Sequence, residues 1–340
     1  MPSAEWRIGD SKDGGITTDG LLHSNLMTRF GLAILMGLTL FSCSGGPAPP
    51  KLPTAPPGRP GPAVVQVEDD RLSRPQSGLQ GADIVYEYLT EGGITRFSAI
   101  YMSPQGNQKI EPVRSARLVT LRVVKGYGGV LFYSGASDHV QNVIDTEHVP
   151  AINESTEGSR YFSRDRARQA PYNLVTSTDR LQAGVARLAN RVTYQLPPNG
   201  DPPAGGQPAT SLSFQQTQVH HVAYSWSQAD NAYTYTDEIG KLTDEDTAGA
   251  PVKIVNVVLV RVAHHDAGYT EDVLGENGID FDFQGSGPAE VYTRGQHLSG
   301  TWQFDGSTPL KLLTADGKPF PLPKGLTWIH LVDPEMPIGG

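Results

Sequence analysis

The sequence concentrates ionisable side chains that could recognise a ligand between residues 87 and 173. The members of this polar set are Glu87, Glu91, Arg96, Arg114, Arg117 and Asn173. Arginine guanidinium groups bind carboxylates and phosphates through two parallel hydrogen bonds. Arg114 and Arg117 are three residues apart, so in a helical turn they project from the same side. The polar set therefore predicts a binding site for an anionic ligand such as a glycan or a wall polymer.

Two other interpretations of the polar set stay open. The arginines could pair with Glu87 and Glu91 and hold a hairpin against a helix, since buried charges are normally paired. Glu87 or Glu91 could instead be the acid or base of a hydrolase of cell-wall polysaccharide, a mechanism that needs two carboxyl groups about 5–9.5 Å apart. We favour binding over catalysis, because pairs of carboxylates are also common outside active sites.

Other motifs in the sequence do not indicate a cofactor or a metal ion. Residues 134–139 (S-G-A-S-D-H) hold a serine, an aspartate and a histidine, but they lack a nucleophile elbow, and Ser137 fits the N-cap of a helix. The histidine pairs 220–221 and 264–265 are adjacent residues, which point to opposite faces of a strand and make poor joint metal ligands. We therefore predict turn or strand-end histidines, no metal and no cofactor.

A hairpin and a helix are predicted to position the polar set. Strand-like stretches at 84–89 and 94–102 flank the turn T-E-G-G. A helix capped by Ser115 is expected to end near Gly126. The hairpin would carry the glutamates and the helix would begin close to the arginines.

The pattern along the rest of the chain predicts an α+β protein. Strands and helices are mixed before a Pro/Gly-rich breaker, and almost everything after it is strand and turn. The predicted segments are a mixed α/β domain at 63–196, a linker or loop at 197–208, a β-rich sandwich or barrel at 209–334 and a tail at 335–340.

The N-terminal region predicts export and lipidation. Residues 30–41 form an apolar run after Arg29; a bilayer-spanning helix needs roughly 20 residues, so this shorter run is typical of a signal peptide. The run leads into L-F-S-C, which resembles a bacterial lipobox and ends in the single cysteine, Cys43. We expect a signal peptide with a start-site extension at 1–42, a lipid on Cys43 and a Pro/Gly-rich tether at 43–62.

Net charge and cysteine content exclude several classes of ligand and cross-link. The formal net charge is -9 and the basic residues do not cluster, which argues against nucleic acid as a ligand. A single cysteine excludes an internal disulfide and a cysteine-rich zinc site. The lipobox resemblance, rather than composition, predicts the remaining partner: a membrane, reached through the lipid on Cys43, at the outer face of the bacterial cytoplasmic membrane.

Several longer motifs resemble the YerB-like family of bacterial lipoproteins over roughly residues 63–333. They are R-P-Q-S-G-L (74–79), A-D-I-V-Y-E (82–87), E-G-G-I-T-R-F (91–97), P-V-R-S-A-R (112–117), A-P-Y-N-L (170–174), G-T-W (300–302) and T-W-I (327–329). The resemblance implies a bacterial, membrane-anchored, extracytoplasmic protein with two domains of unknown function, and it supplies no catalytic residues. A His often stands in the family where this chain has Tyr172, and another near Ser134, so any chemistry of those histidines is missing here.

Overall fold

Residues 58–340 are described by a computed structural model. The predicted signal peptide, Cys43 and most of the predicted tether fall at 1–57 and lie outside the described residues. Across the described residues, no helix is both long enough and apolar enough to cross a membrane. The α-helices of this part of the chain are α1 (Leu118–Tyr127), α2 (Asp138–Thr146), α3 (Glu154–Glu157) and α4 (Thr178–Leu188).

Strands make up most of the remaining regular structure. The strands before the predicted linker are β1 (Arg59–Pro60), β2 (Ala63–Glu68), β3 (Ile84–Leu89), β4 (Thr95–Tyr101), β5 (Lys109–Ile110), β6 (Val130–Tyr133), β7 (Ala151–Asn153), β8 (Ser163–Arg164), β9 (Leu174–Ser177) and β10 (Arg191–Val192). Those after residue 200 are β11 (Gln207–Pro208), β12 (Ser211–Gln215), β13 (His221–Ser227), β14 (Ala232–Thr236), β15 (Thr243–Asp244), β16 (Ala250–Pro251), β17 (Lys253–Ile254), β18 (Asn256–Arg261), β19 (His264–Thr270), β20 (Asn277–Phe281), β21 (Gly285–Thr293), β22 (Gln296–Phe304), β23 (Lys311–Leu313), β24 (Thr327–Val332) and β25 (Ile338–Gly339).

One large mixed sheet runs through both predicted domains. Its order is β11-β22-β21-β18-β24-β3-β4-β2-β6-β7, with β23 beside β22. Strand β24 connects the two predicted domains within this sheet, because it pairs in parallel both with β18 and with β3. The sequences of β18 (N-V-V-L-V-R) and β24 (T-W-I-H-L-V) are nearly continuous apolar runs because both faces of the sheet are covered there.

Different elements cover the two faces of this central sheet. On one face, which we call the second-sheet side, the sheet β17-β14-β13-β12-β25 packs through Tyr224 and Tyr235 near Trp328. On the other face, which we call the α1 side, helix α1 buries Val124 and Tyr127 against the strands. The central sheet is therefore the middle layer of the protein, and successive residues of its strands enter different cores.

The predicted α+β class and the elements around the polar set are confirmed. The hairpin joins β3 to β4 through a short turn at 91–93, and Ser137 is the N-cap of helix α2, where its Oγ accepts from the backbone of Val140. Helix α1 starts later than expected: its N-cap is Arg117, and Ser115 instead donates from Oγ to the carbonyl of Ser134.

The tether prediction is wrong at its last residues. Strand β1 falls inside the predicted tether and pairs with β10, and the guanidinium of Arg59 lies 5.0 Å from the ring centre of Tyr194. These contacts bring folded structure forward to residue 59. The predicted linker also ends in the sheet, since β11 pairs with β22.

Candidate functional site

Strand alternation divides the predicted polar set between the two faces of the central sheet. Glu68 and Arg96 are paired in register on β2 and β4, and their side chains lie on the α1 side. Asp69 follows Glu68 and, with Glu87 of β3, lies on the second-sheet side. The polar set is therefore two separate clusters rather than one site, because side chains one residue apart on a strand point in opposite directions.

Glu68, which is not a member of the predicted polar set, organises the α1 side. Its carboxylate lies 3.2 Å from Nη2 of Arg96 and accepts from Nε of Arg114 at 2.5 Å. Burial alone raises the pKa of Glu68, but the charges of the two arginines outweigh burial and the pKa lies below its ordinary value. Glu68 is therefore a buried carboxylate anion with two guanidinium partners.

Glu91 and Arg117 form a second ion pair on the α1 side. Both oxygens of Glu91 accept from the guanidinium of Arg117, and Nη1 of Arg117 lies 3.5 Å from Glu271. Burial raises the pKa of Glu91, but hydrogen bonds from Arg117 lower it further than burial raises it. The ion-pair interpretation of the sequence is thus the observed state of Glu91, whose carboxyl group is ionised and covered.

Arg114 differs from the other two predicted arginines because part of it reaches solvent. Its side chain is 26% exposed, against 2% for Arg96 and 8% for Arg117. Glu68 holds Nε, and the guanidinium carbon lies 5.6 Å from the ring centre of Tyr172. Among the residues at 58–340, neither terminal nitrogen of Arg114 has a hydrogen-bond partner.

Arg114 lies where parallel strands end. Strands β2, β6 and β7 are parallel neighbours, and the loop after β6 binds the arginine segment through the backbone N–H of Ser134, which donates to the carbonyl of Arg114. The backbone of Gly135 in turn donates to Oδ1 of Asn153 at the end of β7. Ligands of open α/β sheets bind at the carboxyl ends of such strands.

Asn173 borders the same edge, but within the described residues it makes no hydrogen bond to the arginines of the polar set. Its Oδ1 accepts from Arg164 at 3.1 Å, and Arg164 also donates to Glu154 at 2.9 Å. We call the half-buried group Arg114, Ser134, Asn153, Tyr172 and Asn173 the strand-end surface. Arg114 and Asn173 are the predicted residues that the structure places there.

Glu87 lies in a buried cluster on the second-sheet side. Its Oε2 accepts from the indole nitrogen of Trp328 at 2.8 Å. Its Oε1 lies 3.1 Å from Nε2 of His220 and 3.2 Å from the hydroxyl of Tyr235. Glu87 and Glu91 therefore do not face one another across a cleft, which is the arrangement that the hydrolase alternative requires.

His220 and Asp69 are the cluster members that sequence reasoning missed. His220 is at a strand end, as predicted, but its side chain is 5% exposed and its partner is Glu87, 133 residues away in the chain, rather than His221. Asp69 accepts from Thr95 at 2.7 Å and lies 3.9 Å from His220. We call Asp69, Glu87 and His220 the inter-sheet cluster. One potential ligand atom from each of these residues lies close enough to the other two for the group to hold a metal ion.

Burial and charge shift the pKa values in the inter-sheet cluster strongly. Burial, with the charge of Glu87, raises the pKa of Asp69 to about 7 although Arg74 opposes the shift. Burial lowers the pKa of His220, but the hydrogen bond and charge of Glu87 dominate and raise it to about 10. Burial lowers the pKa of the neighbouring His330 to about 4, so that ring is neutral between Tyr224 and Gln216.

Comparison with known proteins connects this architecture to one family. Residues 52–191 match the profile described as protein of unknown function (DUF3048) N-terminal domain, and residues 210–329 match the corresponding C-terminal domain. Together the two matches cover well over half of the sequence. The chain belongs to the DUF3048 family. The motif resemblance to YerB-like proteins is thus confirmed.

A relative and a solved structure agree with this DUF3048 assignment. The chain is 28% identical over 280 residues to "Putative lipoprotein YerB" of Bacillus subtilis strain 168, covering 80% of this chain and 81% of the relative. The crystal structure of the B. subtilis YerB protein superposes with a TM-score of 0.66 at 26% identity, covering 83% of this chain and 94% of that chain. This DUF3048 protein is therefore a homologue of a protein named as a lipoprotein, with two domains of unknown function.

Proposed function

We propose that this DUF3048 protein is a lipoprotein of the bacterial cell envelope that binds an anionic wall polymer or glycan at the strand-end surface. It is held at the outer face of the cytoplasmic membrane by the lipid on Cys43. The name of the B. subtilis relative and the lipobox-like L-F-S-C of this chain support the anchor. Binding rather than hydrolysis is supported by the pairing of Glu91 with Arg117.

The observation that carries the binding proposal is the state of Arg114. Glu68 and Tyr172 fix its guanidinium in place, yet both terminal nitrogens are left without a partner among the described residues. A guanidinium fixed in this way is preorganised, so a carboxylate or phosphate gains two parallel hydrogen bonds without first ordering a flexible side chain. Arg96 and Arg117 cannot bind an external anion in the same way, because both are buried and ion-paired with internal carboxylates.

The surroundings of Arg114 suit a polymer more than a small enclosed ligand. The strand-end surface is half-exposed rather than enclosed. The amides of Asn153 and Asn173 at its border already make hydrogen bonds within the described part of the chain, so the donors offered to a ligand come mainly from Arg114. The net charge of -9 repels polyanions at long range. Recognition would therefore depend on short contacts at Arg114 rather than on electrostatic steering.

Replacing Arg114 with alanine is expected to weaken polyanion binding by about tenfold or more, since hydrogen bonds to charged groups contribute about 1.5–3 kcal/mol. Binding of poly(glycerol phosphate) and of polygalacturonate would be measured separately, which distinguishes a phosphate from a carboxylate ligand. Arg114→Lys should retain only part of the affinity, because an ammonium group cannot form the fork.

Arg122→Ala is the matched control for Arg114→Ala. Arg122 is 34% exposed and ion-paired with Asp280, but it lies on α1 away from the strand ends. Equal affinity of wild type and Arg114→Ala for both polymers, with the variant shown to be folded by circular dichroism, would contradict the binding proposal.

Replacing Cys43 with alanine is expected to move the protein from the membrane fraction to the soluble fraction, because the thiol that accepts the lipid is absent. Cell fractionation followed by mass spectrometry of the N-terminus measures both release and processing. The wild-type mature chain should begin at lipid-modified Cys43. A Cys43→Ala protein that stays with membranes at the wild-type level would refute lipid anchoring without affecting the Arg114 result.

A further inference from the structure

We propose that the inter-sheet cluster binds a divalent transition-metal ion, such as Zn²⁺ or Mn²⁺, through Asp69, Glu87 and His220. The proposed ion has a structural role, because the three residues are buried between the central sheet and the second sheet. The site is independent of the anion-binding proposal, since it lies on the second-sheet side and Arg114 is held from the α1 side.

The distances in the cluster match a metal site. One ligand atom from each of the three residues lies within 4.8 Å of the other two. Nε2 of His220 is 3.1 Å from Oε1 of Glu87 and 3.9 Å from Oδ2 of Asp69. Metal–ligand distances of about 2.0–2.2 Å in tetrahedral geometry place ligand atoms about 3.4 Å apart, so small side-chain adjustments suffice to centre an ion.

The two carboxylates are already oriented by other groups. Nη2 of Arg74 donates to Oδ1 of Asp69 at 2.5 Å, and Oδ2 of Asp69 is the oxygen near the histidine. The indole of Trp328 donates to Oε2 of Glu87, and Oε1 is left toward the centre. Outer partners of this kind fix the direction of metal ligands and are a regular part of metal sites.

The histidine is oriented in the same way. Nδ1 of His220 lies 2.9 Å from Oε1 of Glu238, an arrangement of carboxylate, imidazole and ligand position that is common at zinc sites. The hydroxyl of Tyr235 is 2.9 Å from Nε2 of His220 and 3.2 Å from Glu87. The hydroxyl thus occupies a fourth position around the same centre.

Charge also favours a cation at this place. The acidic side chains around the centre are Asp69, Glu87, Asp237 and Glu238, and the only guanidinium that the described structure brings to them is that of Arg74. Arg74 is shared between Asp69 and Asp237, at 2.5 and 2.6 Å. Buried carboxylates need a compensating positive charge, and a divalent ion supplies more of it than a protonated imidazole does.

The ligand types restrict which metal would bind. Two carboxylates and one imidazole suit Zn²⁺ or Mn²⁺, whereas thiolate-preferring ions find no sulfur ligand in the cluster. Mg²⁺ prefers near-octahedral oxygen coordination with several waters, which a buried site with a histidine does not provide. The site would connect residues 69 and 87 of the N-terminal family segment to residue 220 of the C-terminal segment.

Metal content and metal-dependent stability test this proposal on the full chain. Protein purified without chelator would be analysed by elemental mass spectrometry, then dialysed against EDTA and heated with ZnCl₂, MnCl₂ or MgCl₂ present. We expect about one Zn²⁺ or Mn²⁺ per chain and a higher melting temperature with that ion than with Mg²⁺. His220→Gln and Asp69→Asn should abolish both effects.

Two further variants keep the test decisive if a ligand variant fails to fold. Glu238→Gln removes the charge of the outer partner of His220 while keeping an acceptor oxygen, and it is expected to weaken metal binding about 10–100-fold in a folded protein. His265→Gln, at a histidine that is 56% exposed on β19, should change nothing. Absence of stoichiometric metal together with no stabilisation by any of the three ions would overturn the proposal, as would equal affinities of Glu238→Gln and His265→Gln.

Discussion

Replacing Glu68 with glutamine is expected to lower the free energy of unfolding by about 3–5 kcal/mol, the range found when one partner of a buried ion pair is removed. Glu68 is 1% exposed and is the carboxylate that contacts both Arg96 and Arg114. The amide keeps the shape of the side chain but loses the charge. Arg96 is 2% exposed and cannot recover its hydration, so its guanidinium would stay buried with a weaker acceptor.

Urea denaturation of Glu68→Gln, beside two comparison variants, measures this effect. Glu154→Gln removes a carboxylate from a partly exposed pair with Arg164 and should cost no more than about 1 kcal/mol. Arg96→Leu should be milder than Glu68→Gln, because Glu68 keeps Arg114 as a partially solvated counter-ion. If Glu68→Gln proved no more destabilising than Glu154→Gln, the buried ion pair would not be the main support of the α1 side.

Replacing Trp328 with alanine is expected to cost about 3–5 kcal/mol of stability, because it opens a cavity where three strands and the second sheet meet. The indole is fully buried; its ring centre lies 5.0 Å from that of Phe97 and 5.7 Å from that of Tyr235. Trp328 belongs to β24, the strand that joins the two predicted domains into one sheet. Its loss should therefore weaken both family segments together.

Trp328→Phe separates the hydrogen bond from the packing. The ring volume is mostly kept, but Oε2 of Glu87 loses its indole donor, which costs about 1–3 kcal/mol for a buried acceptor. Trp226→Ala, at a half-buried indole of β13, is the control and should be milder than Trp328→Ala. Circular dichroism is the appropriate probe, since fluorescence changes with every tryptophan removed. Two separate unfolding transitions in Trp328→Ala, one of them at the wild-type midpoint, would contradict a shared core.

The family motifs and the local elements around them were predictable from the sequence. The β3–β4 hairpin follows from alternating apolar residues about a Gly-Gly turn, and the cap of α2 follows from a serine before a polar helix start. Helix α1 starts two residues after the predicted cap, because Ser115 donates to the carbonyl of Ser134 and the hydroxyl of Thr120 accepts from the N–H of Arg117 at the observed helix start. The hairpin turn and the cap of α2 depend on neighbours within a few residues.

Which residues form each candidate site was only partly predictable, because that depends on the face of the sheet to which each side chain points. The sequence singled out Glu87, Glu91, Arg96, Arg114, Arg117 and Asn173 as one set by residue type. The structure separates Glu87 from Arg96 because the two side chains lie on opposite faces of one sheet. It also adds Glu68, whose importance depends on which face of β2 it occupies.

The sequence alone determined this protein's family and its α+β class, and it predicts an export and lipidation signal ending at Cys43, because motifs, periodicity and a leader pattern are properties of neighbouring residues. Tertiary structure alone decided which charges meet. The pairing of Glu87 with His220 spans 133 residues, and β24 reaches β3 across more than two-thirds of the chain. No local pattern encodes contacts of that separation, since they arise only when strands from both family segments enter the same sheet.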